Sequence, residues 1–138
     1  DKIKEVLYNL IGNALKFTDK GGTVSVFFTK DGNYVGIHVQ DTGKGIDTKD
    51  IKTLFTKFGI VEGTYTTNKK ASGTGLGLYI SKSIVELHGG TMAVASKGAG
   101  MGATFSFTLP MYKKGEAKTL RPSKRVEDRT LGIVHTGV

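Results

Sequence analysis

The chain has 138 residues, 38% of them hydrophobic and 23% charged, which suits one globular domain with a modest core. It has no cysteine, which excludes disulfides and thiolate metal sites and fits a reducing compartment. Its apolar runs are far too short to cross a bilayer, and it shows no signal peptide and no initiator Met, so it reads as a fragment. The net charge of +8 is unevenly spread: residues 1–110 hold 13 Lys or Arg against 9 Asp or Glu, and residues 111–138 hold 7 against 3. Residues 111–138 therefore read as a basic, disordered tail behind a domain spanning 1–110. Such a run usually means solvation, so no nucleic-acid role is expected of it.

Residues 1–18, DKIKEVLYNLIGNALKFT, place Ile3, Val6, Leu7, Leu10, Ile11, Ala14 and Leu15 on one broad face and predict a helix. Val24 to Thr29 and Tyr34 to Gln40 read as strands joined by a turn at Lys30-Asp31-Gly32-Asn33. Thr48 to Phe58 predicts a helix capped by Asp47 or Thr48, and Gly59 to Ser72 a long polar loop. Leu76 to Leu87 predicts a second strong helix, stopped by His88-Gly89-Gly90. Thr91 to Ser96 and Ala103 to Leu109 read as a strand pair ended by Pro110. The order predicts an α+β, two-layer sandwich with helices on one face of a mixed, mainly antiparallel sheet. A helix comes first, so an opening N-terminal strand is expected to be missing.

Glu5, Asn9, Asn13 and Lys16 fall within roughly 80° of one another on the first helix. An amide oxygen suits magnesium, and a nearby Lys meets a phosphate as a point charge. An ordinary wet face is the alternative, but two asparagines are poor mid-helix choices. In VQDTGKGI, Asp41 ends a strand, followed by Gly43 and Gly45. It can accept from an exocyclic amine such as that of adenine, while glycines let the backbone pass close to a flat base; a plain turn Asp is the alternative.

Residues 72–90, SGTGLGLYISKSIVELHGG, carry Gly73, Gly75 and Gly77 at the start of the second helix. The dinucleotide fingerprint fails, since its sixth place is Leu78 and no strand precedes it; Walker A fails for want of Gly-Lys-Ser/Thr. A glycine-rich helix start is still suited to an anion.

In order along the chain stand NLIGNALKFT, DTGKGI, LFTKFG and GTGLGL, continued by SKSIVELHGG and GATFSFTLP. This series, over about residues 1 to 110, resembles the catalytic and ATP-binding domain of sensor histidine kinases. That family shares a superfamily with DNA gyrase, heat-shock chaperones and mismatch-repair ATPases. The resemblance implies ATP and magnesium as ligands. Asn13 would ligate the metal with Asn9 one turn before it, and Lys16 would reach a phosphate. Phe17 would lie beside the nucleotide. Asp41 would read the adenine amine, with Thr104 supporting it through water, and Gly43, Gly45 and Ile46 would line the base pocket. Gly73, Thr74, Gly75, Leu76, Gly77 and Leu78 would form the hinge and phosphate-contacting helix start. Residues 59–72 would be a mobile ATP lid anchored by Phe55 and Phe58.

The family's usual arginine after the second Phe of LFTKFG is absent; Gly59-Ile60 stands there, leaving Lys57, Lys69 or Lys70 to substitute. Hydrolysing relatives carry a Glu where this chain has Asn9, and a carboxamide cannot take a proton from water. The resemblance therefore implies phosphoryl transfer to a histidine rather than hydrolysis. His38, His88 and His135 do not suit that role, so the acceptor would lie on a dimerisation domain of a homodimeric parent, free or membrane-anchored. A response-regulator receiver would be the next partner, and the domain would be cytoplasmic.

Overall fold

The computed structural model describes residues 1–55, 77–111 and 130–135. The elements are α1 (Lys2–Phe17), β1 (Thr23–Asp31), β2 (Tyr34–Asp41), a 3₁₀ turn (Thr48–Thr53), α2 (Gly77–Leu87), β3 (Met92–Ala95), β4 (Ala103–Pro110) and β5 (Thr130–His135). The strands form one sheet in the order β3-β4-β2-β1-β5, and every pairing is antiparallel. Both helices pack over one face, as the α+β expectation required.

α1 begins where expected. The Asp1 side chain accepts from the Ile3 N–H at 3.0 Å, satisfying one of the donors that a helix start leaves open. Val6, Leu10, Ala14 and Phe17 are its buried stripe. They meet Val24 and Val26 of β1, Ile37 and Val39 of β2, Phe105 and Phe107 of β4, and Leu78 and Val85 of α2 in one core. Cross-strand pairing explains which strand residues share it: Val26 faces Val39, and Ile37 faces Phe107.

The end of α2 follows from its two glycines. Gly90 N–H donates to the Val85 carbonyl and Gly89 N–H to the Glu86 carbonyl, both at 3.0 Å. Gly89 takes φ +81°. This is the Schellman arrangement, which closes the helix's last carbonyls. His88 completes it, with Nδ1 2.7 Å from the Ile84 carbonyl; a carbonyl only accepts, so that nitrogen holds the proton. His88 is thus a helix-terminal residue. A methyl at Gly90 would overlap the Thr108 carbonyl, so this glycine also lets the chain turn tightly into β3.

Two expectations need correction. The helix predicted from Thr48 is only a 3₁₀ turn as far as Thr53, capped by Asp47 accepting from Lys49 N–H. Leu54 and Phe55 follow it as a turn, and residues 56–58 with the expected lid lie outside the described residues. The tail is not wholly unstructured: Thr130–His135 pair with β1, Ser25 opposite Ile133 and Val24 opposite Val134. The charge of residues 113–129 hid a short strand-forming run, TLGIVH. The driving force is plain, because the outer edge of β1 would otherwise present unpaired backbone donors and acceptors.

On the face away from the helices, His38 stacks on its cross-strand neighbour Phe27, ring centroids 4.8 Å apart. Its Nε2 lies 2.8 Å from Thr29 Oγ1. Partial burial lowers the His38 pKa from 6.5, since the stacked ring loses hydration that its charged form needs. The unfolded chain therefore binds this proton first. Stability should be full above about pH 6.5 and should fall as pH drops toward the lower folded value. Replacing His38 with Gln should flatten that acid limb of the urea midpoint measured between about pH 7 and 5.

Candidate functional site

Three segments carry the candidate residues: the flank of α1, the turn after β2, and the first turn of α2. On α1, Asn9 and Asn13 are half-buried and Lys16 is exposed. Asn9 does not face solvent as the stripe suggested. Its Nδ2 donates to Ser81 Oγ at 2.9 Å, tying α1 to α2. A Cβ at Gly77 would stand 3.0 Å from Asn9 Nδ2 and 3.1 Å from its Oδ1. The glycine at the start of α2 thus has a steric reason of its own, besides any contact with phosphate. Leu78 is buried in the core. The Asn13 side chain makes no hydrogen bond to another described residue, and an amide oxygen is suited to a hard cation.

Lys16 and Phe17 divide differently from expectation. Lys16 Nζ lies 5.5 Å from the Phe17 ring centroid, but that ring is 4% exposed and belongs to the core. Phe17 is therefore a core residue of α1 rather than an exposed ring. Its carbonyl acts instead, accepting from Lys44 N–H at 3.1 Å and steadying the turn after β2.

That turn is the most constrained part of the site. Asp41 is 4% exposed. Its Oδ1 accepts from Gly43 N–H at 2.9 Å and from Ala103 N–H at 3.2 Å, and Oδ2 is buried too. Two backbone donors on one oxygen hold the carboxylate in place. A carboxylate offers about four acceptor positions, more than these two donors use. The neighbouring glycines are required by the protein itself. A side chain at Gly43 would strike the Phe17 carbonyl, and one at Gly45, where φ is +67°, would strike the Gly98 carbonyl. Ile46 is fully buried. Its N–H donates to Ser96 Oγ at 3.0 Å, and that hydroxyl donates to the Gly102 carbonyl at 2.7 Å.

Thr104 is a correction. The register pairs it with Gln40 and pairs Asp41 with Ala103. Strand alternation then puts the Thr104 side chain on the sheet face opposite to the Asp41 carboxylate. The group that reaches Asp41 from β4 is the Ala103 backbone N–H. Gly73, Thr74, Gly75, Leu76 and Phe58 lie outside the described residues. Phe55 is placed, edge-on to Phe105 with centroids 6.4 Å apart.

A cavity of about 360 Å³ borders Asp41, with Ser96, Met101, Ala103 and Thr104 among its walls. Another, of about 490 Å³, lies between Lys20 and Lys44. Neither is lined by Asn9, Asn13 or Lys16. Among the described residues no group of three His, Asp or Glu side chains could hold a metal by itself. Ser81 and Ser96 were missed from sequence. Ser81 was detectable as a polar residue on the apolar face that carries Leu78 and Val85, whereas nothing local marked Ser96.

Residues 1–113 match the family model described as histidine kinase-, DNA gyrase B- and HSP90-like ATPase. The sensor histidine kinase WalK of Bacillus subtilis is 42% identical over 118 residues, 84% of this chain and 19% of the relative. The sensor histidine kinase ZraS of Escherichia coli K12 is 42% identical over 111 residues, 80% of this chain and 22% of the relative. The chain thus spans about a fifth of these curated relatives. Among solved structures, the nucleotide-free catalytic domain of histidine kinase ThkA superposes with a TM-score of 0.64 at 30% identity, over 79% of this chain and 66% of that one. Full-length ShkA in complex with AMPPNP gives 0.64 at 31% identity, over 79% of this chain and 21% of that one.

The glycine and serine constraints yield a direct test. Gly45→Ala should destabilise the fold by about 2 kcal/mol or more, from its positive φ and the overlap with Gly98. Ser96→Ala should cost about 1–3 kcal/mol by leaving the Ile46 N–H without its acceptor. Urea unfolding of both variants checks this, and a loss below about 0.5 kcal/mol in either would contradict the clamp described above.

Proposed function

Because the chain belongs to the histidine kinase-, DNA gyrase B- and HSP90-like ATPase family, we propose that it binds magnesium-ATP and transfers the γ-phosphoryl group to a histidine on a separate phosphoacceptor domain. The observation that carries this reading is the buried Asp41 carboxylate, oriented by two backbone N–H groups at a strand end. An adenine amine is a donor of the right kind for such a group, and a guanine carbonyl at the same place is not. At the other end of the site, Asn13 would supply a neutral oxygen to magnesium shared with the phosphates, and Lys16 a point charge. Bound magnesium would neutralise charge on the transferring phosphoryl group.

The chain's own residues then act by orientation. Asp41 fixes the base, α1 fixes the phosphate end, and the start of α2 offers backbone N–H groups to an anion. Asn9 has no basicity, so it activates no water. The nucleophile is an imidazole nitrogen brought by the partner domain. It forms a bond to Pγ as the bond from Pγ to the β–γ bridging oxygen breaks, and ADP leaves. The natural consumer of the phosphohistidine is an aspartate on a receiver domain. None of the described helices is long and apolar enough to cross a membrane, and the reaction places the domain where ATP is, in the cytoplasm.

Thermal melts with and without magnesium-ATP test the binding step. At a hundredfold excess over Kd the native state should gain about 2.7 kcal/mol. Asp41→Asn keeps the shape of the side chain but opposes a donor to the adenine amine, and should abolish the gain. Asn13→Ala should remove the part of the gain that depends on magnesium. Incubation with radiolabelled ATP and a histidine-kinase phosphoacceptor domain tests transfer; label that stays on ATP while binding is intact would reduce the chain to a nucleotide-binding module.

A further inference from the structure

Ser81 is the described polar side chain of the α1–α2 contact that the reading above leaves without a task. It is 3% exposed, sits one turn into α2, and lies on the helix face that otherwise holds Leu78 and Val85. A buried hydroxyl on an apolar face is kept at a cost unless it is hydrogen-bonded. Its partner is Asn9 Nδ2, at 2.9 Å.

The pairing has a directional consequence. A carboxamide has one donor end and one acceptor end. Ser81 takes the donor end, and the amide fills the space that a side chain at Gly77 would need, a Cβ there standing 3.0 Å from Nδ2 and 3.1 Å from Oδ1. The acceptor end, Oδ1, is thereby set by α2 rather than by α1's own rotamer preference. Asn9 lies one turn before Asn13 on the same flank of α1. From this geometry we infer that Ser81 is a positioning residue: it orients the Asn9 amide so that Oδ1 serves the magnesium and phosphate end of the site. The inference rests on the magnesium-ATP reading. It adds that α2 contributes through a side chain as well as through its backbone start.

The test uses the full 138-residue chain and isothermal titration with two probes, magnesium-ATP and ADP in EDTA. The second reports the base end without the metal. Ser81→Ala should weaken magnesium-ATP by roughly tenfold, the scale of one lost hydrogen bond. It should leave ADP in EDTA within about twofold. Ser81→Thr keeps a hydroxyl and should retain most of the magnesium-ATP affinity. In an Asn9→Ala background, Ser81→Ala should cost nothing further, because the residue acts only through that amide. Equal loss for both probes would make Ser81 a packing residue and overturn the inference. So would unchanged magnesium-ATP affinity in Ser81→Ala, or a full additional loss in the double variant. No binding of either probe by the parent chain would sink the nucleotide reading and this inference together, an outcome distinct from the others.

Discussion

The turn from Asp41 to Ile46 is the constraint on which the rest depends. It is clamped from two sides by backbone groups. The Phe17 carbonyl at the end of α1 accepts from Lys44 N–H, Gly100 N–H donates to the Lys44 carbonyl at 2.6 Å, and Gly102 N–H donates to the Gly43 carbonyl at 3.1 Å. Ser96 Oγ closes the far end at Ile46. Such close approach is possible only because Gly43, Gly45 and Gly102 lack side chains. The result is a carboxylate whose position is decided before any ligand arrives, and a group that need not be ordered on binding gives more affinity per contact.

The same clamp joins parts distant in sequence. Asp41 ends β2, Phe17 ends α1, and residues 98–102 turn between β3 and β4. The core beneath them is continuous, with Phe17, Ile46, Ala103 and Phe105 in one cluster. A change in how α1 packs on the sheet is therefore felt at the carboxylate through the Phe17 carbonyl. This explains why the buried side of α1 uses Leu10, Ala14 and Phe17 in close order while its flank can carry amides.

The sequence made the scaffold legible because periodicity reports directly on faces. α1, the β1–β2 hairpin and α2 all follow from apolar spacing and from glycine punctuation, and Asp41 stands out as an acid closing an apolar strand. What periodicity does not report is register. Thr104 was paired with the carboxylate by resemblance, yet the β2–β4 register gives that place to Ala103, whose backbone carries no side-chain signature. Phe17 was assigned to the ligand, but burial under α1 was the stronger demand on a large ring. β5 was obscured because the basic stretch before it dominates the composition. Ser96 escaped notice because its partners, Ile46 and Gly102, meet only in the folded chain.

Position 9 shows how these levels combine. An Asn there looks like the loss of a base, but its neighbours give the amide a second meaning. It lies against the first turn of α2, bonded to Ser81 and packed on Gly77. A helix start carries partial positive charge, so a Glu at this place would be attracted to it. That carboxylate would add a negative charge beside the place where the proposed function puts the phosphates. A neutral amide holds α1 to α2 with a hydrogen bond that adds no charge. Under the proposed function the potential at the start of α2 would then be left for the nucleotide, and the residue that would forgo water activation would also add no charge at the phosphate end.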